Sequence, residues 1–300
     1  MRIAIVGPAH PLREGGITTF NHRLAQQLQA EGHEVLIYSF FLQYPNFLFP
    51  GSSQFTKDPA PEGLKIKSIL NSINPFNWIK IGLKLYREKP DLIIVRFWIP
   101  FLAPCLGTIL KIAKLNKHTK VISIIDNMIP HEKRMGDRLL TKYFVKTVDG
   151  FIAMSEKVKN DIKTFSHKPV SISPHPIFNH FGDPITKMEA RTQLGLPQQD
   201  KIILFFGYIR KYKGLDLLLQ AFSNLNKEFI LLIAGEVYGD EITYTNLIAK
   251  SKNKNIHFVN QFIDEQDVKL YFSVADLCVL PYKSATQSGI QALANSFCLP

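Results

Sequence analysis

Short runs of branched aliphatic residues alternate with longer stretches of helical periodicity along the whole chain. Five such runs stand in the first part: Arg2–Val6, Glu34–Tyr38, Asp91–Val95, Lys120–Ile125 and Gly150–Ala153. Each is nearly continuous in Ile, Val or Leu, the pattern of strands covered on both faces of a parallel sheet. Between them, apolar positions recur at helical spacing over Thr18–Ala30, Asn77–Arg87, Cys105–Leu115, Asp137–Thr147 and Glu156–Thr164. The stretch Ser173–Asp183 has no clear period and is rich in Pro, His and Phe, so it reads as a linker. A second series follows, with strands expected over Ile202–Phe206, Phe229–Ala234, Ile256–Val259 and Leu277–Leu280. Its helices are expected over Gly214–Leu225, Glu241–Ala249, Glu265–Phe272 and Ser288–Asn295. Alternation of this kind predicts two doubly wound α/β domains in tandem, here residues 1–180 and 181–300. The series stops just after a helix at Pro300, so the second domain is expected to be incomplete.

Composition narrows the class. The chain has 300 residues, 46% apolar and 20% charged, which excludes a disordered or low-complexity protein and allows two cores. Its three cysteines have no C-x-x-C spacing, which argues against a disulfide framework or a zinc site and suits a reducing cytoplasm. The apolar start Ile3–Val6 is too short for a signal peptide. The longest apolar stretch, Phe97–Leu110, is interrupted by Pro100 and Pro104 and falls short of the roughly 20 residues that cross a bilayer.

Charge separates the two parts. The net charge is +11, and residues 1–186 carry 24 basic against 14 acidic side chains, whereas the rest carry 12 against 11. The surplus points to an anionic partner of the first part, or to a solvated lysine-rich surface.

Candidate chemistry sits in two loops. After the first strand, Gly7–Phe20 reads G-P-A-H-P-L-R-E-G-G-I-T-T-F. Gly15 and Gly16 before a helix allow close approach of an anion to free N–H groups, and the same pattern suits a plain turn capped by Thr18 or Thr19. The loop is neither G-x-G-x-x-G nor a P-loop, so it supports neither a dehydrogenase nor an NTPase. In the second domain, Phe205–Leu219 reads F-F-G-Y-I-R-K-Y-K-G-L-D-L-L-L. Arg210, Lys211 and Lys213 crowd the carboxyl end of a strand beside a helix start, where ligands of open α/β sheets bind. Arg210 and Lys213 there suit a diphosphate clamp, while Lys211 also suits the surface.

This loop, with A-G-E at 234–236, A-D-L-C-V-L-P-Y at 275–282 and A-T-Q-S-G-I at 285–290, resembles the retaining glycosyltransferases of family 4. The glycine-pair loop and D-N-M-I-P-H-E at 126–132 fit the same family, and the motifs run in order through essentially the whole chain. The resemblance implies a GT-B fold, two Rossmann-like domains facing a cleft, with acceptor bound by the first and nucleotide-sugar by the second. It implies a hexosyltransferase of polysaccharide biosynthesis. Such an enzyme would move a sugar, with retention of configuration, from a nucleotide-diphosphate donor to a glycan or lipid-linked acceptor, without metal or other cofactor.

By the same resemblance Arg210 and Lys213 neutralise the diphosphate as the leaving group departs. Thr286, Ser288 and Gly289 open a helix toward phosphate oxygens, and Gln287 with Ser288 stands in for the acidic contacts to sugar and ribose that many relatives make. Glu236 suits either the nucleotide or a helix start, and Gly15 and Gly16 line the donor side. Three positions depart from the family pattern. From Leu277 to Pro300 there is no Glu or Asp, so a Glu pair found in many relatives is missing. Tyr208 stands where many have Arg. The common His-Asn is Asp126-Asn127, with His131 five residues on. Asp126 suits hydrogen bonds from sugar hydroxyls; His131 suits these or acid/base work, and His131-Glu132 equally suits a helix start.

Residues 64–89 carry six Lys/Arg and one acid, with Phe76 and Trp78 among Ile and Leu, as in segments that lie on anionic bilayers. A peripheral position at the inner face of the cell membrane is therefore expected, alongside the cytoplasm. The aromatic stretch Phe40–Phe49 suits an acceptor pocket or core. Two other functions fit the same residues: a nucleotide-sugar epimerase or hydrolase of this fold, and a non-catalytic glycan- or nucleic-acid-binding protein. No groove-reading motif supports nucleic acid.

Overall fold

The computed structural model describes residues 1–13, 15–45, 49, 53–130, 134–174, 176, 181–285 and 288–300. Of the expected linker over Ser173–Asp183, residues 175 and 177–180 lie outside the described residues. The chain divides into two compact units, Met1–Pro174 and His175–Pro300.

In the first unit the aliphatic runs form β1 (Arg2–Val6), β2 (Glu34–Leu42), β3 (Ile66–Asn71), β4 (Leu92–Phe97), β5 (Lys120–Ile125), β6 (Gly150–Ala153) and β7 (Val170–Ile172). All pair in parallel, in the order β3-β2-β1-β4-β5-β6-β7, with Ile3 beside both Val35 and Leu92. The order reverses at β1, the hallmark of a doubly wound sheet. Helices α1 (Gly16–Ala30), α2 (Pro75–Glu88), α3 (Ala103–Ala113), α4 (Asp137–Val145) and α5 (Glu156–Lys163) connect the strands. Successive residues of β1 serve opposite faces: Ile3 and Ile5 join a core with Phe20, Leu24 and Leu28 of α1. Ala4 and Val6 join the other core, built with Ile81, Leu85, Leu106 and Phe144 of α2 to α4.

The second unit forms β8 (Lys201–Phe206), β9 (Phe229–Ala234), β10 (Ile256–Val259) and the short β11 (Leu277–Cys278), again all parallel, in the order β10-β9-β8-β11. Helices α6 (Lys187–Gln193), α7 (Leu215–Phe222), α8 (Glu241–Lys250), α9 (Val268–Val274) and α10 (Gly289–Ser296) accompany them. Ile203 and Phe205 pack with Leu215 and Phe222 on one face, and Ile202 and Leu204 with Phe272 and Leu293 on the other.

Four elements differ from expectation, one of them β7, whose three residues form no aliphatic run. The basic segment 64–89 holds, ahead of the expected helix, an unexpected strand, β3, and Asn71 and Asn74 divide the two. The Asn71 side chain accepts from the Ile73 and Asn74 N–H groups. Asn74 caps α2, with Pro75 in its first turn. Helix α6 was not apparent because its seven residues are mostly polar; it is held by Arg191, which is buried and paired with Asp276 at 2.9 Å. The expected strand Leu277–Leu280 pairs only over its first two residues. Among the described residues, no helix is long and apolar enough to cross a membrane.

Candidate active site

The second unit assembles a cationic site from three loops at the carboxyl ends of its strands. Strand β8 is followed by Gly207, whose φ of 90° turns the chain out of the sheet. The Ile209 N–H donates to the Glu236 carbonyl and the Tyr238 N–H to the Ile209 carbonyl, both at 2.8 Å, so the loop after β8 runs alongside the loop after β9. Gly235 is required by this contact: a Cβ there would lie 2.2 Å from the Gly207 carbonyl oxygen. Past Arg210, Lys211–Lys213 make a single 3-10 turn closed by Gly214 at φ 73°. A Cβ on Gly214 would lie 2.0 Å from the Pro281 oxygen, which seats the loop after β11 against the start of α7. The Lys283 N–H donates to the Tyr212 carbonyl at 2.8 Å and completes the frame.

The two expected clamp cations come together in this frame. The guanidinium carbon of Arg210 stands 5.0 Å from the centre of the Tyr238 ring. The Lys213 ammonium stands 5.8 Å from the Tyr282 ring and about 3.3 Å from where a Gly207 Cβ would be. Lys213 is buried, and this burial, followed by the charge of Arg210, pulls its pKa down to about 8. The nearest helix-start acid, Asp216, pairs instead with Lys283. No carboxylate among the described residues pairs with Arg210 or Lys213. Lys211 is exposed. The aromatic partners Tyr238 and Tyr282, together with Tyr208 at 4.5 Å from Tyr238, were not among the expected site residues. Isolated tyrosines in loops carry no periodic signal.

Glu236 is buried in the loop after β9, where its carbonyl accepts from Ile209. The helix-start role belongs to Asp240, which caps α8 through the Ile242 N–H. Ser288 caps α10 by accepting from the Gln291 N–H at 3.3 Å, and its hydroxyl lies 3.4 Å from that of Tyr282. Burial pushes the Tyr282 phenol up to about 12. Gly289 opens α10; Thr286 and Gln287 lie outside the described residues. An open concavity of about 590 Å³ is lined by Tyr282, Ala285, Ser288 and Gln291. Arg210 and Lys213 do not line it.

The first unit holds a second polar cluster where β1, β4 and β5 end. Asp126 follows β5 and receives two hydrogen bonds from Arg96 of β4, one from Nε at 3.0 Å and one from Nη2. Both residues are buried, and the guanidinium also faces the Phe20 ring at 4.1 Å. Asn21 of α1 is fully buried, donates to the Pro8 carbonyl at 2.8 Å, and stands where a Cβ on Gly7 would be, at 2.9 Å. The His10 N–H donates to His22 Nε2 at 3.1 Å. Gly15 precedes α1 in extended backbone and makes no side-chain cap; no atom lies within 4 Å of a Cβ built on Gly16. His131 lies outside the described residues. Arg96 was missed, although a lone cation inside the apolar run Leu92–Phe97 was the signal that could have found it.

Comparison with known proteins accounts for both units. The model of "Glycosyltransferase Family 4" matches residues 14–177, over half of the chain. That of "Glycosyl transferases group 1" matches residues 186–296. A GDP-mannose:glycolipid 4-beta-D-mannosyltransferase of Xanthomonas campestris pv. campestris is 26% identical over 186 residues, 61% of this chain and 49% of the relative. The match thus spans about half the length of that relative. Among solved structures, sucrose-phosphate synthase from Thermosynechococcus elongatus aligns with a TM-score of 0.72 at 18% identity, covering 96% of this chain and 77% of that one. WaaG, a glycosyltransferase involved in lipopolysaccharide biosynthesis, aligns at 0.71 and 16% identity, covering 99% and 80%. Anabaena HepE in complex with UDP aligns at 0.71 and 12% identity, covering 100% and 79%. These neighbours identify the α/β architecture as GT-B, and with the match over residues 14–177 the chain belongs to glycosyltransferase family 4.

Proposed function

We propose that this chain works as a hexosyltransferase, moving a sugar from a nucleotide-diphosphate donor to a glycan or lipid-linked acceptor with retention of configuration. The observation that carries the reading is the pairing of Arg210 with a buried Lys213 that no described carboxylate neutralises. A buried cation of this kind costs folding energy unless an anion arrives. A diphosphate supplies that anion, and its charge grows as the bond to the sugar breaks, so the two cations bind the transition state more strongly than the ground state. Arg210 offers a planar fork held against Tyr238, and Lys213 a point charge. The reaction is written without a metal, since the pair already supplies the opposing charge. Ser288 and Gly289 at the start of α10, with Thr286, are assigned to phosphate oxygens, Gln287 with Ser288 to the donor contacts that a Glu pair makes in many relatives, and Glu236 to the nucleotide. Asp126, fixed by Arg96, is assigned to accept hydrogen bonds from hydroxyls, and His131 to hydrogen bonding or proton transfer. Gly16, with open space above it, and Gly15 leave room for the ligand. HepE, solved with UDP, and the relative named for GDP-mannose support a nucleotide-sugar donor.

Calorimetric titration with UDP, GDP, ADP and CMP tests the reading. One nucleoside diphosphate should bind, and Arg210→Ala or Lys213→Ala should weaken it about 10- to 100-fold, as expected for loss of a charge-assisted contact. Unchanged affinity in both folded variants would remove the clamp from the proposal.

A further inference from the structure

We propose that the outward face of α2 docks the protein on an anionic lipid surface. Four apolar side chains form a stripe along this helix at three- and four-residue spacing. They are Phe76, Ile79, Leu83 and Tyr86, with exposures of 83%, 45%, 40% and 37%. Ile73, just ahead of the helix, is 50% exposed and extends the stripe. The opposite face is already occupied: Ile81 and Leu85 are buried in the core, and Gly82 lets α2 approach α3 so closely that a Cβ would meet that of Ile112 at 2.7 Å. The stripe is therefore surplus to folding, and exposure of this much contiguous apolar surface marks a contact site.

Charge selects the partner. Lys80 and Arg87 are exposed beside the stripe, and Lys65 and Lys67 are exposed at the neighbouring edge strand β3. The one acid of the segment, Glu88, is neutralised: it accepts from the Tyr38 hydroxyl and pairs with Lys84 at 2.9 Å. Trp78 is turned inward, donating from Nε1 to the Asn71 carbonyl at 2.7 Å. What remains outward is apolar and cationic, the combination by which an interfacial helix lies in anionic headgroups. A second copy of the chain suits this face poorly, because a two-fold contact would bring two cationic faces together. Docking here uses no residue of the sugar-transfer proposal and stands independently of it.

Co-sedimentation of the full chain with vesicles tests the inference, using phosphatidylcholine alone and phosphatidylcholine with phosphatidylglycerol. Binding should require phosphatidylglycerol. The Phe76→Ser/Leu83→Ser variant should bind at least about tenfold more weakly, from the apolar area lost. Lys80→Gln/Arg87→Gln should lose about fivefold for each cation removed. Both variants alter exposed positions and should keep wild-type melting and nucleotide affinity, so failure of the transfer reading would register separately. No binding by the wild type, equal binding to both vesicle types, or a dimer in sedimentation equilibrium that Phe76→Ser/Leu83→Ser dissolves would each overturn the inference.

Discussion

Lys213 shows how one side chain couples burial, charge and pH. Its pKa in the folded chain is lowered to about 8, so between pH 8 and the ordinary lysine range the unfolded chain holds a proton that the folded chain has released. Stability should therefore rise with pH across that interval, by an amount on the order of 3 kcal/mol, and Lys213→Met should abolish the rise. Bound diphosphate favours the ammonium, so nucleotide affinity should run the opposite way, falling about tenfold per pH unit above 8. Denaturant unfolding and titration over the same pH series check both signs. The Arg96–Asp126 pair makes a different statement at the same scale. Arg96→Leu leaves a carboxylate in the interior and should cost about 3–5 kcal/mol, whereas Arg96→Leu/Asp126→Leu should recover most of the loss in urea unfolding. Neither behaviour was legible in the residues alone. Arg210 and Lys213 were visible from their place after a strand, but Lys213 is packed against Tyr282 of the loop after β11, far away in sequence. Asp126 was visible from its motif, and its partner was not, since Arg96 belongs to another strand.

Elements with strong periodic signals were legible almost to the residue. The spans of β1, β5, β6, β9 and β10 coincide with their aliphatic runs, because strands covered on both faces tolerate few polar residues. What escaped was short or ambiguous: β3 reads I-K-S-I-L-N at a sheet edge with only three aliphatic residues, β7 has three residues, and α6 is mostly polar. The edge strand needs no second apolar face, so its pattern merged with that of α2. Glycine supplies the sharper test at this scale. Gly214→Ala would force a Cβ against the Pro281 carbonyl in a left-handed backbone, and should cost at least about 3 kcal/mol and abolish nucleotide binding. Gly32→Ala shares the positive φ, at 83°, but meets nothing within 4 Å; it should cost only about 1 kcal/mol and spare binding. Chemical unfolding with nucleotide titration of both variants separates close packing from backbone strain.

For the molecule as a whole, composition and fold divide the labour. Each unit has core on both faces of its own sheet, and the surplus positive charge belongs almost entirely to the first. Within that unit the basic segment 64–89 is divided between an edge strand and the outer side of a helix. Fold and family were legible because they rest on order and periodicity, whereas donor and acceptor rest on a few side chains brought together from distant loops. The backbone frame around Arg210 and Lys213 has a consequence for how such sites diversify. The loops after β8, β9 and β11 are joined by their own amides and by glycines that admit no side chain. Fixing a residue costs roughly 1–2 kcal/mol of conformational entropy, and here that ordering is completed when the unit folds rather than when a ligand arrives. Substitutions at Tyr208, Tyr238 or Tyr282 can then reshape what the cradle accepts without disturbing the backbone that holds it, leaving a rigid scaffold whose selectivity is free to evolve.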